Sequence, residues 1–234
     1  MTSTTCVHRF PLVLLLALLA RSAGATPLDV AGYTFEDGEL AFADQAIIVS
    51  GTLTGPHPVS PEETAQRVLT GSDLSDTLRV INPDEVVFEI LFTDNQILNG
   101  PGIDLVFFEN SGHMDPGTPD PRERFGVSVF DGSGFPAFVI RDPISTGFVP
   151  CGDTTLCLTV FTVEVDLSDF GLPLGATTDR VRLFLFDPLE GTRSGDPTAV
   201  GALNSVPEPT TFSLIATGFL MLAMGARHSR SPRS

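Results

Sequence analysis

Leu158-Thr159-Val160-Phe161-Thr162-Val163-Glu164-Val165 alternates two kinds of side chain along one short run. Thr159, Phe161, Val163 and Val165 fall on one side, and Leu158, Val160, Thr162 and Glu164 on the other. A period of two predicts a β-strand with one face inward and the other graded toward solvent. Val181-Arg182-Leu183-Phe184-Leu185-Phe186 repeats the pattern, with Val181, Leu183 and Leu185 on one face and Arg182, Phe184 and Phe186 on the other.

Working outward, short apolar runs at 46–50, 78–81, 86–92, 103–109, 125–130 and 137–140 are set off by Gly, Pro, Asp and Asn. Their Val, Ile and Phe content suits a pleated, half-buried surface. One helix is expected at 62–69, with Ser60 as cap, Pro61 at the first helical position and Glu62 and Glu63 at its positive end. Residues 166–171 suit a single turn. About eight strands with so little helix predict an all-β fold, a single antiparallel β-sandwich over 26–190. That span is ample for one core and too short for two. Residues 110–124, rich in Gly and Pro, are expected as an exposed loop. Residues 191–205 are small and polar without an apolar period, and read as a linker.

Both ends are expected to be processing segments. Arg9 precedes an apolar run at 12–20, and Ala23-Gly24-Ala25 supplies small residues for signal peptidase. Residues 1–25 therefore read as a signal peptide cleaved after Ala25. At the other end, Val206-Pro207-Glu208-Pro209 precedes an apolar stretch and then Arg227, His228, Arg230 and Arg233. A transmembrane segment at 210–226, about 17 residues, is at the short limit for spanning a bilayer, and the arginines would hold its end inside.

The chain has 234 residues and a formal net charge of −16. Five of its 13 basic residues lie in the two ends, which leaves eight against all 29 acidic ones, or −21 for residues 26–226. Such a surface repels nucleic acid and anionic lipid, and suits hard cations. There is no lysine, which removes P-loop, Schiff-base and pyridoxal chemistries. Cys151 and Cys157, the two cysteines outside the signal, read as a disulfide in an exported chain.

No cofactor is demanded by any motif; a structural calcium ion is the candidate, with Asp104, Glu109, Asn110 and Asp115 as oxygen donors. Asp104 and Glu109, five apart on a strand, face opposite sides and would need loop donors to complete such a site. The EF-hand pattern fails after Asp94, where Leu98 and Asn99 take the fifth and sixth positions. His113 lies near Asp115 and Asp120, but no G-x-S-x-G accompanies it, so no catalytic residue is assigned. With 29 acids some carboxylate pair is inevitable, and the pair needed for glycoside hydrolysis carries little weight. Sugar platforms favour Trp and Tyr, yet the chain has no Trp, one Tyr and 18 Phe. Most of the phenylalanines fall on strand positions, where the core is expected to claim them.

The order Pro-Glu-Pro, apolar stretch, basic end resembles the PEP-CTERM sorting tag of Gram-negative envelope proteins, over about 29 residues. That resemblance implies processing at 206–234 by an exosortase in the inner membrane, then release to the cell envelope or exterior. Leu98-Asn99-Gly100-Pro101-Gly102-Ile103-Asp104-Leu105-Val106-Phe107-Phe108-Glu109-Asn110 is similar to an NGPG-x-DLVVFE segment of exported bacterial surface proteins. Those are regarded as jelly-roll sandwiches related to galactose-binding-like domains. The expectation is a non-enzymatic envelope or matrix protein; a carbohydrate-binding or adhesion module partnered by extracellular polysaccharide is the alternative. A secreted hydrolase with an unrecognised acidic site is a third reading.

Overall fold

A computed structural model describes residues 25–53, 60–78, 86–111, 125–147, 159–185 and 195–207. The strands are β1 (Leu28–Val30), β2 (Tyr33–Phe35), β3 (Gln45–Ser50), β4 (Val86–Leu91), β5 (Asn95–Leu98), β6 (Leu105–Ser111) and β7 (Phe125–Val129). They continue with β8 (Val139–Arg141), β9 (Ile144–Ser145), β10 (Thr159–Val165), β11 (Thr177–Thr178), β12 (Arg180–Leu185), β13 (Pro197–Ala202) and β14 (Ser205–Pro207). One α-helix, α1 (Pro61–Leu69), interrupts them, capped by Ser60 Oγ, which accepts from the Glu63 amide at 3.1 Å.

Two main sheets result, in the orders β3-β4-β12-β7-β8 and β13-β6-β10-β9, and their paired strands run antiparallel. Smaller sheets are the β1-β2 hairpin and β11-β5-β14. Register keeps like faces together, with Leu183 opposite both Phe88 and Val127, and Val163 opposite Phe107. Between the two main sheets lies one core, where Leu105, Phe107, Val163 and Val200 meet Phe88, Ile90, Val127 and Leu183. Ala65, Val68 and Leu69 of α1 join that core.

The four-stranded sheet is covered on its other side too. Val106, Phe108, Val160 and Ala199 pack with Val30, Phe35, Phe42 and Leu74 in a second core. The Phe35 and Phe42 rings lie 4.6 Å apart, and Tyr33 meets Phe108 edge-on at 5.9 Å. The second face of β10 is thus not graded to solvent as expected. Val160 and Thr162 are fully buried, and the Tyr33 hydroxyl donates to Glu164 Oε1 at 2.7 Å. Burial, with the Glu164 charge adding to it, pushes that phenol above its ordinary pKa.

The expected linker is also corrected. Thr26–Glu208 is one compact unit, and residues 197–202 form β13, buried at every position against β6. Composition suggested a linker because a strand buried on both faces shows no alternation. The segment is also built of small residues because space is short: a Cβ on Gly201 would lie 2.6 Å from Phe35 Cε1. Of the expected strand at 78–81, only Leu78 is described, and it is buried outside any strand. Among the described residues no helix is long and apolar enough to cross a membrane. The segments 1–24 and 210–226 lie outside the described residues, as do Cys151 and Cys157.

Candidate functional site

Asp104 sits just before β6 and is fully buried. Its Oδ1 accepts from the Gly100 amide at 2.7 Å and from Asn204 Nδ2 at 2.9 Å, and its Oδ2 from the Leu167 amide at 2.9 Å. Its backbone carbonyl also takes the Leu203 amide at 2.8 Å. The preceding Asn99 donates through Nδ2 to the Leu172 carbonyl at 2.7 Å and accepts from Ser168 Oγ at 3.2 Å. The Asn-Gly-Pro-Gly-Ile-Asp stretch is therefore a structural junction between the loop before β6, the end of β10 and the β13–β14 turn. A Cβ at Gly100 would lie 2.6 Å from Asn204 Nδ2, so a larger residue there would have to displace the amide that binds Asp104.

The proposed calcium donors do not come together. Asp104 and the Glu109–Asn110 pair stand at opposite ends of β6, about 17 Å apart at strand rise. Glu109, fully buried, accepts from the Asp196 amide at 3.3 Å, while Asn110 Nδ2 donates to the Leu74 carbonyl at 2.7 Å. Adjacent on one strand, these two side chains leave opposite faces of the sheet. Asp115 lies outside the described residues, and no group of three His, Cys, Asp or Glu suited to a metal occurs among those described. With the Asp104 oxygens turned onto three protein donors, calcium does not fit this set.

The tail motif is split. Val206 and Pro207 belong to β14, where they pair with Gln96 and Asn95 of β5, so the motif begins inside the fold rather than on a tether. Glu208 and Pro209 lie outside the described residues, as does Ala23; Ala25 is the first residue described.

The organised exposed chemistry lies elsewhere, on the outer face of the five-stranded sheet. Because Val181, Leu183 and Leu185 point into the core, Arg180, Arg182 and Phe184 of β12 point out. Residues 130–138 fold back beside them and seat one ring on each. The Arg180 guanidinium lies 4.7 Å from the Phe130 centroid and that of Arg182 lies 3.9 Å from Phe135. The Phe138 and Phe184 rings are 4.8 Å apart at 32°. The fold-back is shaped by Asp131, whose Oδ1 accepts from the Ser133 amide and hydroxyl and the Gly134 amide at 2.8–2.9 Å. The Ser133 hydroxyl first, and these amides with it, hold the Asp131 carboxyl below the usual range. Ser128 Oγ fastens the segment by donating to the Pro136 carbonyl at 2.7 Å.

The arginines are also tied sideways. Arg182 donates through Nε and Nη2 to Glu89 Oε2 at 3.2 and 2.9 Å. Arg180 grips Asp179 with Nε and Nη2 at 2.9 and 3.0 Å. That grip lowers the Asp179 pKa against the opposing effect of burial, and raises that of Arg180. Ile47, facing Glu89, and Ile140, facing Gly126, extend the face with exposures of 46% and 43%; Phe138 is 42% exposed. The sequence pattern places Phe184 outward, puts Phe130 and Phe138 on strands whose phenylalanines are mostly expected in the core, and assigns Phe135 to no strand. The Asp-Gly-Ser-Gly turn between Phe130 and Phe135 was the available signal that these two leave the strand together.

These features define an all-β antiparallel sandwich bearing an aromatic and arginine ladder on one sheet. No family model and no curated protein matches the chain. Among solved structures it is similar to the C-terminal domain of a chitobiase from Bacteroides fragilis. Identity is 11% over 72% of this chain and 97% of that one, with a TM-score of 0.38.

Proposed function

We propose that the chain is an exported, non-enzymatic protein of the cell envelope or extracellular matrix, sorted through its tail, with the outer ladder as its working surface. The sandwich is read as jelly-roll-like. The observation that carries the reading is the division of polar groups. Asp104 and Asn99, the buried groups best suited to chemistry, are engaged in joining elements, whereas Arg180, Arg182, Glu89 and Phe138 are arranged on an accessible sheet face. A broad, pre-formed face of this kind suits binding rather than a water-excluding reaction.

For the tail, the apolar segment 210–226 would be held in the inner membrane with Arg227, Arg230 and Arg233 inside, until an exosortase acts at Pro207-Glu208-Pro209. Glu208→Ala should leave the sandwich folded and trap uncleaved precursor in the inner membrane. Intact masses of envelope fractions check this: wild-type surface protein still carrying residues 212–234 would make the tail a plain anchor. For the face, Phe138→Ala should weaken retention of the protein in salt-washed matrix.

A further inference from the structure

We infer that the outer face of the five-stranded sheet binds a neutral polysaccharide chain laid along the Phe130–Phe135–Phe138 ladder, an inference resting on the reading of that face as the working surface. Arg180, Arg182 and Phe184 are successive outward positions of β12, about 7 Å apart, and form a row about 14 Å long; the Phe130 and Phe135 rings on the first two lie closer, 5.4 Å apart and inclined at 55°. A row of that length suits several units of a linear polymer better than one small molecule.

Each guanidinium lies over one ring, and Phe130 and Phe135, in contact with each other at 5.4 Å, stay partly exposed. Phe138, seated on Phe184, is 42% exposed. Flat apolar rings match the apolar faces of sugar rings, while hydroxyls at the sugar edge need fixed donors and acceptors. Arg180, forked onto both oxygens of Asp179, and Arg182, held on Glu89 Oε2, provide both beside the rings.

Charge selects the class of polymer. Both guanidinia on the face are neutralised by carboxylates, so no local excess of positive charge is left for a polyanion. The rest of the chain, at −21 for residues 26–226, repels one. A second copy of the chain carries the same repulsion.

Full-length protein in detergent would be run through native gels containing a soluble β-glucan, a galactan, a xylan or a polyuronate. Retardation by at least one neutral polymer and not by the polyuronate is expected, with affinity falling about tenfold in Phe138→Ala and in Arg182→Ala. Circular dichroism confirms that each variant is folded, and Leu174→Ala, an exposed residue before β11 that is no part of the ladder, should bind as wild type. No retardation by any neutral polymer, or retardation untouched by Phe138→Ala, overturns the inference. Equal loss in Leu174→Ala, or a sedimenting dimer broken by Phe138→Ala, does so too. If Phe138→Ala strips the protein from salt-washed matrix while no neutral polymer binds, the ligand class fails and the working surface stands. If neither assay responds, both fail.

Discussion

Three donors converge on the Asp104 carboxylate, from the Gly100 and Leu167 amides and the Asn204 side chain, in a site closed to water. Removing that carboxylate leaves the buried Gly100 and Leu167 amides with nothing to accept them, at roughly 1–3 kcal/mol each before relaxation, and leaves the part-buried Asn204 amide the Ile103 carbonyl at 3.4 Å. Asp104→Ala should therefore cost about 3 kcal/mol or more, read as a lower urea midpoint at unchanged slope. Glu164→Ala, whose carboxylate takes one phenol bond in a part-buried place, should cost less. The sequence marks Asp104 as an oxygen donor but not who takes its oxygens. Two of its partners lie 63 and 100 residues further along the chain, brought in by β10 and by the β13–β14 turn.

At the scale of elements, legibility followed periodicity. Strands with one face in a core and one face outward, such as β12, and the capped helix α1 were readable because pattern and capping agree with the fold. β13 was not, because Pro197–Ala202 is covered on both sides and offers small residues where Phe35 and Phe42 press close. β1 and β2, three residues each, are too short to show a period. The correction has a direct consequence. A chain ending at residue 190 removes the strand that pairs with β6 and contributes Ala199 and Val200 to the two cores. It should be unfolded or aggregated, with the β6 edge laid open. A chain ending at residue 207 keeps β13 and β14 and should show a cooperative transition. Circular dichroism and limited proteolysis of the two chains distinguish these cases, and a cooperatively folded 26–190 chain would restore the linker.

The unit Thr26–Glu208 is built in three layers, with the four-stranded sheet between the five-stranded sheet and the β1-β2 hairpin. Phe107 and Phe108 are neighbours on β6, both fully buried, yet Phe107 belongs to the core shared with the five-stranded sheet and Phe108 to the one under the hairpin. Since one sheet supplies a wall to both cores, neither can open without exposing the back of the other. Truncating either ring leaves a cavity, so Phe107→Ala and Phe108→Ala should each cost about 3–5 kcal/mol. The cooperativity can be read from a built-in probe: the chain has no tryptophan, and its one tyrosine, Tyr33, sits against Phe108. Tyrosine fluorescence thus reports the outer core alone, while far-ultraviolet circular dichroism reports all the strands. In urea the two curves should coincide for the wild type and for both variants, as one cooperative unit requires. If Tyr33 is released ahead of the strands in Phe108→Ala, the hairpin is a separately melting cover, and the coupling of the two cores through β6 is wrong.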